Sequence, residues 1–515
     1  MTLSPAFLAT LEWMQWIFFA YFICINLAYL TLNYISAFSI IRYMRDHGSQ
    51  YLLKNFASYQ PPVSILVPAR NEERSIVASV RSLLRLNYPE FEIIVINDGS
   101  TDGTCEAMIR EFGLEEFPEA YRKRIDTQPV EAVYASARYP NVRLIDKKNG
   151  GKADALNAGI NCTRYPLFCV VDADSVLQQD SLGRVVQPFL EDSTTVAAGG
   201  VVRVVNGCKV KDGFLAEVDL PKSMLAMFQL VEYLRAFLFG RLGWSPMNAL
   251  LIISGAFGVF YKERVIAVGG YTPESVGEDM DLVVRMHRQL RKERRPYRIT
   301  FVPDPICWTE APEDLSSLKN QRMRWQQGLA QSLIPNSRLM FQRNGGAVGW
   351  IAYPFMLIFE CFGPIIEVLG YASMITLWLF GLVSVEAFAV FLFASVGLGV
   401  LLSVNAMFLE ELSFHLYPRP RQQLKLFVAA VLENFGYRQF NSLWRFLGLL
   451  KWAVGLGGKA QWGEIHRHSS WQHDPDAQSP ATDPRVAPVS GTAPTEPARA
   501  TRQTPAKSPI EASTP

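Results

Sequence analysis

Leu167-Phe-Cys-Val-Val171 is an apolar run that ends in Asp172-Ala-Asp174-Ser175. Five residues are short for a helix and suit a strand buried on both faces, the kind found in a sheet covered by helices. In such sheets ligands bind beyond the carboxyl ends of the strands, where the two aspartates fall. Two carboxylates so close repel each other unless something positive offsets them. A hard divalent cation held by oxygen ligands, Mg²⁺ or Mn²⁺, does this and also bridges phosphates. A solvated turn is the plainer alternative.

Working outward, Val63–Val67, Glu92–Ile96 and Arg143–Ile145 are further β-rich runs. Helical stretches near Arg74–Leu86 and Ala153–Ala158 alternate with them. This alternation predicts an α/β domain over residues 62–335 with a mostly parallel sheet. Asp98 ends the second run in Asn97-Asp-Gly-Ser-Thr-Asp102, placed to accept hydrogen bonds from a base or ribose, although an Asx-turn with a helix cap fits equally. Gly150-Gly-Lys152 precedes a helix and suggests a phosphate partner in Lys152. It is not a P-loop, because Ala153 stands where Ser or Thr is required. Gly277-Glu-Asp279 opens a helix whose positive end favours an ionised Asp279, which suits either a general base or a simple helix-end charge. In Gln321-Arg-Met-Arg-Trp325, Arg324 can grip diphosphate oxygens and the Trp325 indole can stack on a sugar ring. Anchoring at a membrane interface is the alternative.

The chain around this domain is membrane-like. Trp13–Ile41 carries no charge and is followed by Arg42 and Arg45. It is long enough to span a bilayer, and the positive-inside rule places residues 1–12 outside and residue 42 onward in the cytosol. Residues 350–382, interrupted by Glu360 and Glu367, and residues 387–409 predict two more spans. Those two acids would line a channel or sit near the cytosolic interface. Residues 425–457 mix apolar and charged side chains and read as interfacial or re-entrant helices, as does Lys222–Trp244. The Pro-, Ala-, Ser- and Thr-rich stretch 470–515 is expected to be a disordered tail. A net charge of +2 over 515 residues gives no case for nucleic acid. The seven cysteines lack any CxxC pair and the six histidines any HExxH, so the sequence argues against a zinc hydrolase and the thiols are expected to be free and buried.

Taken together, the motifs resemble the processive, membrane-bound family 2 glycosyltransferases: cellulose, chitin, hyaluronan and poly-N-acetylglucosamine synthases. The resemblance rests on Pro68-Ala-Arg-Asn-Glu-Glu73, Asn97–Asp102, Gly151-Lys-Ala-Asp-Ala-Leu-Asn157, Asp172-Ala-Asp174, Glu278-Asp279 and Gln321–Trp325, in that order along residues 62–330. It implies a GT-A (Rossmann-like) fold, a UDP-sugar donor, a Mg²⁺ or Mn²⁺ cofactor and a polysaccharide acceptor. Glu72, Asp98 and Lys152 would handle the nucleotide, and Asp172 and Asp174 the nucleotide and metal. Asp279, with Glu278 beside it, would be catalytic. Gln321, Arg324 and Trp325 would frame the diphosphate and acceptor, and Ser254 and Gly255 would line the acceptor pocket. Trp462-Gly463 loosely resembles a gating segment. Gly277 departs from the family, where threonine often precedes the Glu-Asp pair. The implied setting is a bacterial inner membrane, multi-pass, with a cytosolic catalytic domain, exopolysaccharide export proteins as partners, and N-acetylglucosamine as the leading sugar. A transferase adding one sugar to a lipid-phosphate carrier and a non-catalytic nucleotide-sugar-binding scaffold are the competing readings.

Overall fold

A computed structural model describes residues 5–47, 60–118, 120–211 and 213–455. The expected tail at 470–515, the segment Trp462-Gly463 and residues 1–4 lie outside them. Among these residues the strands are β1 (Val63–Ala69), β2 (Phe91–Asp98), β3 (Leu114–Glu116), β4 (Val130–Ser136), β5 (Val142–Lys147), β6 (Leu167–Val171), β7 (Val176–Leu177), β8 (Thr195–Val204), β9 (Lys209–Lys211), β10 (Phe214–Glu217), β11 (Phe257–Tyr261) and β12 (Arg298–Thr309). Ten form one sheet in the order β3-β4-β5-β2-β1-β6-β11-β8-β12-β7, and β9 and β10 pair as a hairpin beside it.

β1 and β6 are buried along their whole length and β2 along nearly all of it, as their apolar runs demand. Helices Ile76–Leu83 and Lys152–Cys162 make the crossovers that a parallel pair requires. Val63 pairs with both Phe91 and Leu167, so the carboxyl ends of β1, β2 and β6 finish on one edge. That alignment puts the residues following β1 and β6 on the same side of the sheet.

The sheet is mixed, which corrects the expectation of a mostly parallel one. β5, β2, β1 and β6 run parallel, but β4, β11 and β7 are reversed against their neighbours. The reason lies in the connections. β4 and β5 are joined by a short turn, and β7 follows β6 after four residues, too few for a crossover helix.

Among the described residues two helices are long and apolar enough to cross a membrane, Trp13–Arg45 and Val385–Ser413, and a third candidate is the pair Val348–Cys361 and Gly363–Leu379, bent by 41°. The predicted segment 350–382 is therefore broken near Phe362, and the first helix runs from Pro5 to His47, beyond the predicted 13–41. Residues 425–457 fall into helices Pro420–Leu432 and Tyr437–Ala453. Ion pairs join the C-terminal helices to the α/β unit: Arg203 with Glu410 of Val385–Ser413, and Arg235 with Glu433 at the end of Pro420–Leu432. All seven cysteines are free, but only Cys162, Cys169, Cys307 and Cys361 are buried, and Cys24 is exposed.

Candidate active site

A cavity of about 520 Å³ opens beyond the carboxyl edge of β1 and β6. It is closed by the helices Met224–Leu234, Glu278–Glu293 and Leu315–Leu333, and its far end reaches Glu360 and Arg445.

On the sheet side Asp172 and Asp174 follow β6 directly, and Asp174 is buried. Lys152 starts the helix behind Gly151, whose φ of 88° lies in the region that favours glycine. Its Nζ lies 2.5 Å from Asp172 Oδ1 and 3.9 Å from Glu278 Oε1. Burial works to lower the Lys152 pKa, but Asp172, Glu278 and Asp279 outweigh it and hold the ammonium above its ordinary range. Glu278 goes the other way. Burial pushes its carboxyl up, Lys152 opposes, and Asp279 reinforces the rise.

Asp279 sits in the first turn of its helix. Its Oδ2 accepts a hydrogen bond from the Gly255 amide at 3.1 Å, and its Oδ1 one from the Met280 amide at 2.8 Å. The Ser254–Gly255 loop is thus tied to the acid. A Cβ on Gly255 would come within 3.3 Å of Lys152 Nζ, so this loop is packed against the charged group. Gly277 explains its own departure from threonine. A Cβ there would lie 2.8 Å from the backbone of Gly328, and one on Gly328 would lie 2.7 Å from Gly277. Two glycines let the helix of Asp279 meet the helix of Trp325 backbone to backbone.

Gln321, Arg324 and Trp325 all line the cavity, and Trp325 is 43% exposed. The Arg322 guanidinium lies 4.4 Å from the centre of the indole and pairs with Glu232 at 2.8 Å. Tyr437 donates to the same Glu232 at 2.7 Å. A buried charge and a hydroxyl thus brace the indole from behind.

Glu72 also lines the cavity. Asp98 does not. Its carboxylate is fully buried and accepts from Lys147 Nζ (2.6 Å), Gly150 N (3.0 Å), Gly151 N (2.7 Å) and Asn149 Nδ2 (3.1 Å). Its acceptor sites are spent on the loop that leads into Lys152, so it shapes the site from behind the wall.

Glu232, Arg241, Arg322, Glu360 and Arg445 line the cavity without having been expected there. Glu360 had been placed in a channel or at the interface; it pairs with Arg445 at 2.9 Å at the cavity's far end. Glu367 lies outside the lining and accepts from Tyr21 at 3.1 Å. The signal for Glu232 and Arg241 was present in the charges that break the apolar run 222–244. Glu232 turns inward onto Arg322, Arg235 onto Glu433, and Arg241 enters the cavity lining, instead of facing outward to an interface.

The lining carries ten carboxylates against five cationic side chains. Such a cavity repels a free diphosphate unless a cation accompanies it. Among the described residues no three His, Cys, Asp or Glu side chains converge as a metal cage. Asp172 and Asp174 supply two carboxylates, and Mg²⁺ is commonly held by one or two carboxylates with substrate phosphates completing the shell. The donor set fits that mode.

Residues 64–213 match the sequence model of glycosyl transferase family 2, and residues 167–402 match that of glycosyl transferase family group 2. The chain belongs to the family 2 glycosyltransferases. Within that family it is related to the poly-beta-1,6-N-acetyl-D-glucosamine synthase of Staphylococcus aureus strain COL, with 30% identity over 275 residues, 53% of this chain and 55% of that protein. The synthase of the same name from Staphylococcus epidermidis matches at 30% over 273 residues, with the same shares. This family 2 chain therefore spans about half the length of the curated relatives it matches. A mannosyltransferase from Pyrobaculum calidifontis, solved with GDP-Man and Mn²⁺, aligns over 82% of this chain and 99% of that one, at 19% identity and a TM-score of 0.48.

Proposed function

We propose that this family 2 glycosyltransferase moves N-acetylglucosamine from its UDP conjugate onto the end of a growing β-linked polysaccharide, with inversion, at the cytosolic face of a bacterial inner membrane. The observation that carries the reading is the convergence on one cavity of Asp172, Asp174 and Lys152 from the sheet edge, Asp279 from one helix, and Arg324 and Trp325 from another. The choice of sugar follows the relatives' names.

Asp279 takes the proton from the acceptor hydroxyl as that oxygen bonds to the anomeric carbon. The bond from that carbon to the diphosphate oxygen breaks on the opposite side, and UDP leaves with the electron pair. Lys152 and Arg324 offset the charge that develops on the diphosphate. Trp325 provides an apolar face for the acceptor sugar. Asp172 and Asp174 would hold Mg²⁺ or Mn²⁺, which supplies Lewis-acid stabilisation of the leaving group when bound. Glu278, whose pKa burial raises, takes up a proton more readily than an exposed carboxyl and so lowers the negative charge next to Asp279.

A donor screen on purified protein tests the reading, with UDP release and product size as readouts. UDP-N-acetylglucosamine should be consumed and a polymer should form. A single lipid-linked sugar as product would instead support the lipid-carrier transferase, and no UDP release with any donor would support the non-catalytic scaffold.

A further inference from the structure

Three of the five cations lining the cavity are paired with carboxylates: Lys152 with Asp172, Arg322 with Glu232, and Arg445 with Glu360. A fourth, Arg324, has a place in the transfer already described. Arg241 has none. It makes no hydrogen bond or ion pair to any described residue, and its Nη1 is buried without an acceptor.

Its position is well defined all the same. Arg241 closes the π-helical turn Arg235–Arg241, and its guanidinium carbon lies 3.9 Å above the centre of the Phe237 ring. Phe237 and Tyr233, on the same stretch of chain, also line the cavity. Asp279 is the opposite charge that acts on Arg241 most strongly, although the two form no ion pair. Burial pushes the Arg241 pKa down to about 10, which leaves it a cation at neutral pH. Native structures seldom leave buried donors unsatisfied, and exceptions call for a functional explanation. Here the guanidinium lies over an aromatic ring and lines the same cavity as the acid assigned to proton removal. The diphosphate is provided for on the sheet side by Lys152, Asp172 and Asp174. The space next to Asp279 is where an acceptor hydroxyl must enter, and its neighbours there are the neutral oxygens of a saccharide.

We propose that Arg241 is an acceptor-binding residue: its guanidinium, stacked on Phe237, donates hydrogen bonds to hydroxyl or N-acyl oxygens of the terminal acceptor sugar and turns the attacking hydroxyl toward Asp279. This rests on the transfer reaction proposed above. Planar, forked donors on an aromatic platform suit a saccharide edge, and a lysine cannot reproduce them.

The test uses the full chain in detergent, with UDP-N-acetylglucosamine as donor and a β-1,6-linked N-acetylglucosamine trisaccharide as acceptor. Arg241→Gln should raise the acceptor KM at least tenfold while the Kd for UDP, measured by calorimetry, stays within twofold of wild type. Arg241→Lys should fall between the two. Retained UDP binding also shows that the variant is folded; if Arg241→Gln fails to fold, Arg241→Lys carries the comparison with the same two constants. An unchanged acceptor KM would overturn the proposal, and so would a tenfold weaker UDP affinity in a folded variant, which would place Arg241 on the diphosphate. Failure of the underlying reaction would look different: the wild-type protein itself would release no UDP.

Discussion

Asp279 illustrates how much a residue depends on donors that are distant in sequence. Its carboxylate is aimed by the amide of Gly255, 24 positions away. Asp279→Asn keeps the shape and removes the proton acceptor, so kcat should fall by about 10²–10⁴-fold, the usual worth of a general base, with UDP affinity retained. Asp172→Asn and Asp174→Asn should instead abolish stimulation by Mg²⁺ or Mn²⁺, and EDTA should stop turnover of the wild type; full activity without divalent metal would remove the role given to these two aspartates. The pair was legible in the sequence because an apolar strand points straight at it. Asp98 carried the same local signal, yet its carboxylate is consumed by Lys147 and by the loop amides near Gly150, partners about 50 residues away that no local reading reveals. Arg241 was hidden for the opposite reason. A charge in an apolar helix reads as interfacial until the structure shows which way it turns.

At the scale of elements, the strands Val63–Ala69, Phe91–Asp98, Val142–Lys147 and Leu167–Val171 were legible because each holds a short apolar run, and β6 has the boundaries its sequence suggests, whereas β3 and β4 lie in a polar connection that gives no such run. The reversed strands were not, since direction is set by connections that sequence periodicity does not encode. The contact of Gly277 with Gly328 is an element-level device that only the structure reveals. Gly277→Thr would push a side chain into backbone, which cannot rotate away, and would separate the helix of Asp279 from that of Trp325. A displacement of about 1 Å at a reacting centre can cost on the order of 10²-fold, and kcat/KM should fall by about that much. Wild-type kcat/KM in this variant would show that the close approach is irrelevant to the site. The same helix carries His287, fully buried between Tyr297 Oη (2.7 Å) and the Leu250 carbonyl (2.8 Å). Burial pushes its pKa down to about 4. The unfolded chain, with an ordinary pKa near 6.5, then binds a proton that the folded chain refuses. Stability is complete above pH ~6.5 and declines as pH falls toward 4, by about 3 kcal/mol in all. Thermal melts at pH 7 and pH 5 should show the lower midpoint at pH 5, and His287→Gln should flatten the difference.

For the whole molecule, the helices pack in a consistent order. Phe18 and Phe22 of the first helix cluster with Met374 and Phe391, while its other end brings Ile40 into the core beneath the sheet. With the α/β unit in the cytosol, the bent pair Val348–Leu379 would lead out and Val385–Ser413 back in. In a cysteine-free background, a single cysteine at Ser384 should then be labelled by an impermeant maleimide added to intact spheroplasts, whereas one at Ser316 should react only after permeabilisation. The reverse pattern would invert the topology. The most direct test of the central claim is to incubate purified wild-type and Asp279→Asn protein with labelled UDP-N-acetylglucosamine and Mg²⁺, then size the products. The account predicts free UDP and a labelled polymer from the wild type, and from Asp279→Asn almost none of either despite unchanged UDP binding. A variant that still built polymer at close to the wild-type rate would contradict it.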